Sequence, residues 1–134
     1  MAVDYDFPVP LSKKQDLSAF ADKLLEKATI CYREENGKIV SLIAGYTNNI
    51  ENNSAYISIL ATLEHARGHG YGKALLEEFV DICRAKKIDS VNLYAVKENT
   101  PAVLLYQKFG FVEYKMENES RPTDLHLIYY IKEK

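Results

Sequence analysis

The chain has 134 residues, 47% of them hydrophobic and 27% charged, with a formal net charge of −2. That length suits one domain, residues 1–134, with a core of its own. The near-neutral balance argues against a broad nucleic-acid surface, and no apolar run approaches the length of a membrane span.

Residues 1–10 read as an extended segment carrying Pro8 and Pro10. A helix is expected over 12–28, with Ser12 and Gln15 as a capping box and Leu17, Phe20, Ala21, Leu24 and Leu25 on one face. Strands 29–33 and 38–46 form a hairpin around Asn36-Gly37, a dipeptide suited to a tight turn. An asparagine-bearing polar connector, 47–54, leads to a strand over 55–62. After the glycine-rich run 67–72 comes a helix over 71–86, with Leu75, Phe79, Ile82 and Cys83 on its core face. A strand over 90–96 is followed by a helix over 100–109, with Thr100 as N-cap, Pro101 at N1 and Gly110 as a left-handed C-cap. Strands 112–116 and 125–131 close the chain. This order predicts an α+β fold: a mostly antiparallel sheet, one β-α-β crossover and helices on both faces. Strand 125–131 is expected at an edge, where a homodimer could pair through it. Cys31 and Cys83 form neither a CxxC pair nor a metal spacing. No apolar signal segment stands at the start, and a reducing cytoplasm is expected.

Arg67-Gly68-His69-Gly70-Tyr71-Gly72 joins a strand to a helix. Glycines there let several backbone N–H groups converge on an anion. The helix start adds unsatisfied N–H groups and the positive end of its dipole. A phosphorylated ligand is the expected occupant. Gly72-Lys73-Ala74 lacks the hydroxyl of a P-loop, and glycines alternating at 68, 70 and 72 do not match the dinucleotide fingerprint.

Two motifs in fixed order narrow the choice. Arg67-x-x-Gly70-x-Gly72 precedes Asn99-x-x-Ala102-x-x-Leu105-Tyr106-x-x-x-Gly110-Phe111. Together they resemble the GNAT family of acetyl-CoA-dependent N-acetyltransferases, over residues 55–111 by motif and 29–46 by strand pattern. The resemblance implies the acyl-CoA N-acyltransferase fold, with acetyl-CoA as co-substrate and no metal. It places the pantetheine arm along the backbone of Leu60, Ala61 and Thr62. The pyrophosphate would lie on the amides of Gly68, His69, Gly70, Tyr71, Gly72 and Lys73, with Arg67 steadying the loop or approaching the phosphates. His69 and Tyr71 would contribute their amides, the His69 side chain being solvated. Asn99 would hydrogen-bond the cofactor arm. Tyr106 would be the general acid for the departing thiolate, a role a phenol can fill. The family has two helices before the hairpin where residues 12–28 supply one.

The proton acceptor stays open at this level. Some relatives carry a glutamate on or near the central strand, around Glu51, Ser54, Ala55 and Tyr56. Others carry one where this chain has Tyr94. Glu64 and His65 fall toward the glycine loop, and His126 reads as an ordinary strand histidine, so proton removal through water is expected. The expected acceptor is a small-molecule primary amine or amino sugar, with Tyr5, Tyr46 and Tyr56 near it; a protein N-terminus or lysine is second. A non-catalytic CoA-binding domain and a nucleotide-binding module are the rival classes.

Overall fold

The computed structural model describes residues 28–48, 53–115 and 123–131. The helix expected over 12–28, Glu51 and Tyr5 lie outside them.

Strands β1 (Thr29–Glu35) and β2 (Lys38–Tyr46) form the expected hairpin. Asn36 (φ 53°) and Gly37 (φ 78°) are both left-handed. Two consecutive positive φ values give the turn a twist that matches the strands it joins. Strand β3 (Ser54–Thr62) pairs antiparallel with β2. Helix α1 (Tyr71–Ala85) crosses over to β4 (Ser90–Ala95), which is parallel to β3. Helix α2 (Thr100–Phe109) leads to the short β5 (Val112–Glu113) and then to β6 (Leu125–Tyr130). The sheet order is β1-β2-β3-β4-β6-β5.

That order corrects one expectation. β6 lies between β4 and β5 and is not an edge; among the described strands the edges are β1 and β5. The chain doubles back after β5, pairing Val112 with Ile128 and Glu113 with Leu127. Strand succession alone could not reveal that insertion, and the proposed pairing of a second copy through 125–131 loses its basis.

Leu75, Leu76, Phe79, Val80 and Cys83 of α1 are buried, one stripe of the helix. They join Ile43, Ile57, Leu60, Val91, Leu93 and Leu127 in the larger core, which Ala102 and Tyr106 of α2 also enter. Burying each large apolar side chain is worth about 1.5–3 kcal/mol. A second cluster holds Val40, Leu42, Ala44, Ile59 and Ala61.

The two clusters lie on opposite faces of the sheet, and a β-bulge in β3 shifts which residues face each. Gly45 pairs with Ile57 but Ala44 pairs with Ile59, so Ser58 is the extra residue. Ala55 and Ile57 face the larger core before the bulge; Ile59 and Ala61 face the smaller one after it. A one-residue insertion reverses the alternation of everything downstream. Gly45 stands opposite, and a Cβ there would fall 2.4 Å from the Tyr56 carbonyl oxygen and 2.7 Å from the Phe79 ring.

Candidate active site

The sheet opens beside the bulge. β3 and β4 are paired only through Ser54–Ser90, Ala55–Val91 and Tyr56–Asn92. β3 then runs on to Thr62 and β4 to Ala95 without pairing to each other. Leu60, Ala61 and Thr62 lie on this parted stretch and are themselves buried. Their side chains pack, so their contribution to a ligand in the cleft would be backbone N–H and C=O groups.

The far end of the cleft is held in place from two sides. Ser41 Oγ lies 2.7 Å from Thr62 Oγ1 and donates to the Ala61 carbonyl (3.1 Å). Arg67 Nε donates to the Thr62 carbonyl at 3.4 Å. Arg67 therefore ties the loop back to β3, one of the two roles expected of it.

Gly68 (φ 86°) and Gly70 (φ 77°) adopt the left-handed conformation, and a Cβ on either would meet nothing within 4 Å. The glycines are required by backbone angle, not by crowding. Gly70 is the N-cap of α1 and supplies no side-chain cap to its first turn. The first-turn amides, Tyr71 to Lys73, are thus available to an anion. A cavity of about 230 Å³ lies over this turn, bounded by Thr62, Arg67, the glycines and Lys73, with Leu105 of α2 as its apolar wall. Gly72 has ordinary helical geometry, and a Cβ there would sit 3.4 Å from Leu105 Cδ2.

The side chains of His69 and Tyr71 are engaged as well. Tyr71 Oη donates to Glu35 Oε2 at 2.7 Å, and His69 Nδ1 lies 3.4 Å from the same oxygen. His65 Nε2 stands 3.9 Å from Glu35 Oε1, and the His69 and Tyr71 rings meet edge to face at 5.5 Å. The His69 side chain, expected to be merely solvated, is half-exposed but engaged. The Tyr71 hydrogen bond, aided by the two histidines, holds the Glu35 carboxyl below its ordinary range. The same bond pushes the Tyr71 phenol up. Glu35 is the last residue of β1, so this cluster ties the hairpin tip to the glycine loop.

Asn99, not Thr100, caps α2: its Oδ1 accepts from the Ala102 N–H at 3.4 Å, which leaves Thr100 at N1. The side-chain amide oxygen out-competes the hydroxyl because it reaches the N3 amide from one residue earlier. At the other end, Phe111 N–H donates to the Tyr106 carbonyl (2.9 Å) and Gly110 N–H to Gln107 (3.1 Å). This is a Schellman motif, with Gly110 at φ 123°. Its usual hydrophobic contact is the Tyr106–Phe111 ring pair, 5.6 Å between centroids. Tyr106 is fully buried beneath α2 and beside the parted strands.

A second polar group lies on the sheet face opposite the larger core. Asn92 Nδ2 donates to the Ala55 carbonyl (2.9 Å) and to Ser54 Oγ (3.1 Å), and Ser90 Oγ donates to Ser54 Oγ (3.0 Å). His126 Nε2 lies 3.0 Å from Asn92 Oδ1. The His126 ring stacks on Tyr94 at 4.3 Å, and Tyr94 meets Tyr56 edge-on at 6.4 Å. His126 and Tyr94, separate in the sequence, thus meet with Asn92 and Ser90, which no motif marks. The only linear trace is polar Ser90 and Asn92 alternating with apolar Val91 and Leu93.

Both cysteines are buried in the larger core. Burial pushes the Cys83 thiol up to about 11 and, with Glu78 nearby, Cys31 to about 12. Neither is a nucleophile at neutral pH.

The model of the acetyltransferase (GNAT) family matches residues 3–111. The chain belongs to that family. A mycothiol acetyltransferase from Beutenbergia cavernae is 40% identical over 55 residues, covering 41% of this chain and 18% of that protein. N-alpha-acetyltransferase 30 of Saccharomyces cerevisiae is 37% identical over 60 residues, covering 45% of this chain and 34% of its own length. The matched segments thus span about a third of these relatives or less. A GNAT family acetyltransferase from Elizabethkingia anophelis, solved with acetyl-CoA bound, superimposes with TM-score 0.68 at 16% identity, over 84% of this chain and 82% of its own. The fold is that of the GNAT acyltransferases.

Proposed function

We propose that this GNAT domain moves the acetyl group of acetyl-CoA to a primary amine by direct attack in a ternary complex. The observation that carries the reading is the parting of β3 from β4 beyond Tyr56–Asn92, with a helix start that no side chain caps at its far end. An extended arm fits between strands that no longer bond each other, and a diphosphate fits a left-handed glycine turn opening onto unsatisfied amides. Leu60, Ala61 and Thr62 would offer backbone groups to the pantetheine arm. Gly68 to Lys73 would take the pyrophosphate, and Arg67 would hold the loop against Thr62. Asn99 would act through the start of α2, which it caps.

Tyr106 would protonate the leaving sulfur. Tyr106 is buried in the core that α2 shares with the sheet, and the role requires its hydroxyl to meet the thioester at the inner end of the cleft. A small-molecule amine is the preferred acceptor. A protein N-terminus is the second reading, favoured by the likeness to an N-alpha-acetyltransferase.

A thermal-shift titration with acetyl-CoA, CoA, ATP and NAD tests the cofactor. A ligand that binds only the folded chain raises its melting temperature with saturation. Shifts with acetyl-CoA and CoA alone are expected, followed by thiol release when amines are added. A shift with ATP or NAD instead would overturn the reading.

A further inference from the structure

We propose that Tyr71 is a positioning residue for the cofactor: its hydroxyl, latched to Glu35 at the hairpin tip, sets the aim of the loop amides at the diphosphate. This rests on the acetyltransferase reading above. Gly70 is the point where that aim can be lost. It is left-handed, at φ 77°, and a Cβ there would meet nothing within 4 Å, so packing does not hold it. Its carbonyl is fixed from the helix side, accepting from the Ala74 N–H at 3.1 Å. Its own N–H meets no backbone acceptor among the described residues. Glycine takes up either sign of φ about equally readily, and a change of sign would swing that N–H away from the ligand.

The residues on either side of Gly70 supply the constraint. Tyr71 Oη donates to Glu35 Oε2 at 2.7 Å, and His69 Nδ1 lies 3.4 Å from the same oxygen. The two rings also meet edge to face, 5.5 Å between centroids. Both flanks of the left-handed glycine therefore converge on one carboxylate oxygen of another element. That oxygen is itself fixed in place, because Glu35 ends β1 and pairs with Lys38 across the Asn36-Gly37 turn. A phenol donating to an ionised carboxylate makes one of the stronger kinds of hydrogen bond.

The sign of the effect separates a latch from a charge. A carboxylate beside a diphosphate site repels the ligand. If Glu35 acted only through its charge, removing it would tighten binding. As a latch, its removal frees Gly70 and weakens binding.

The test measures acetyl-CoA affinity by calorimetry for the wild type, Tyr71→Phe, Glu35→Ala and the double variant, with steady-state kinetics on one amine. Each single variant should bind about fivefold more weakly, the loss appearing in KM for acetyl-CoA and not in kcat. The double variant should be no weaker than either single one, because both remove the same contact. Glu35→Gln keeps an acceptor for the phenol and should lie close to the wild type. Unchanged affinity in Tyr71→Phe, losses that multiply in the double variant, or tighter binding by Glu35→Ala would overturn the latch and leave the acetyltransferase reading intact. A wild type that binds no acetyl-CoA would overturn both. Should Glu35→Ala fail to fold, hydrogen exchange decides, since coupling between two sites is reciprocal. Acetyl-CoA should slow amide exchange over residues 35–39 in the wild type and less so in Tyr71→Phe; equal exchange in the two would overturn the latch.

Discussion

The two ends of the cleft are made of different material. At the glycine loop the uncapped polar groups are main-chain amides; side chains are absent at Gly68 and Gly70, and those of Arg67 and Tyr71 brace the loop from outside. On the sheet face the polar groups are hydrogen-bonded side chains from three strands, Ser54 on β3, Asn92 on β4 and His126 on β6. The first end should tolerate side-chain change and fail on backbone change. The second should do the reverse.

Tyr106→Phe makes the largest break. The ring and its contact with Phe111 remain, and only the hydroxyl is lost. Turnover with an amine should fall about 10²-fold, near 2.7 kcal/mol of barrier, while acetyl-CoA affinity and melting temperature stay close to wild type. Steady-state kinetics beside a thermal melt checks it; unimpaired turnover would show that another group, or water, protonates the sulfur.

Gly70→Val comes next. At φ 77° an L-residue costs about 1–2 kcal/mol, and β-branching adds to it. The loop relieves the strain by leaving the left-handed region, which turns its amides away. Acetyl-CoA affinity should fall about tenfold or more by calorimetry, with the fold retained. Gly72→Ala is the contrast: helical backbone and an ordinary 3.4 Å contact with Leu105 predict a change of less than about threefold. Equal losses at the two glycines would mean that bulk, not backbone angle, governs the loop.

The same contrast explains what the sequence disclosed. Residues 67–72 form the glycine turn in one uninterrupted run, because positive φ and helix starts leave glycine and cap signatures in place. The hairpin was legible for the same reason, through Asn36-Gly37. The Ser58 bulge was hidden, since an extra residue in an apolar strand changes no composition and shows only against the partner strand, between Ala44 and Gly45. Asn92 and His126 are 34 residues apart and meet because β6 inserts beside β4. No local pattern encodes that insertion, which is also why β6 was misplaced at an edge. The cluster of Glu35 with Tyr71 depends likewise on the hairpin tip folding over the loop.

Glu35→Gln probes that brace at lower cost. Folding favours the Glu35 carboxylate, so its stabilising effect is present above the ordinary carboxylate range and disappears as pH falls through that range and then through its own lower value. The wild type should therefore lose melting temperature more steeply than Glu35→Gln on acidification below about pH 5. At neutral pH the variant should bind acetyl-CoA slightly more weakly, through a looser loop. Parallel melting curves across that range would show that the hairpin tip does not brace the loop.

The smallest effect belongs to the thiols, and it bears on the side-chain end of the cleft. Cys83 sits in the core on α1, with its thiol raised to about 11 by burial. At pH 8 roughly one molecule in 10³ would carry a thiolate there. Alkylation of the folded chain by iodoacetamide should thus be far slower than of the unfolded chain, as followed by mass spectrometry. Cys83→Ala should cost about 1 kcal/mol of stability and leave turnover unchanged. Loss of turnover with stability intact would place chemistry on the α1 side of the sheet, and an acetyl group carried on sulfur would then replace direct attack by the amine.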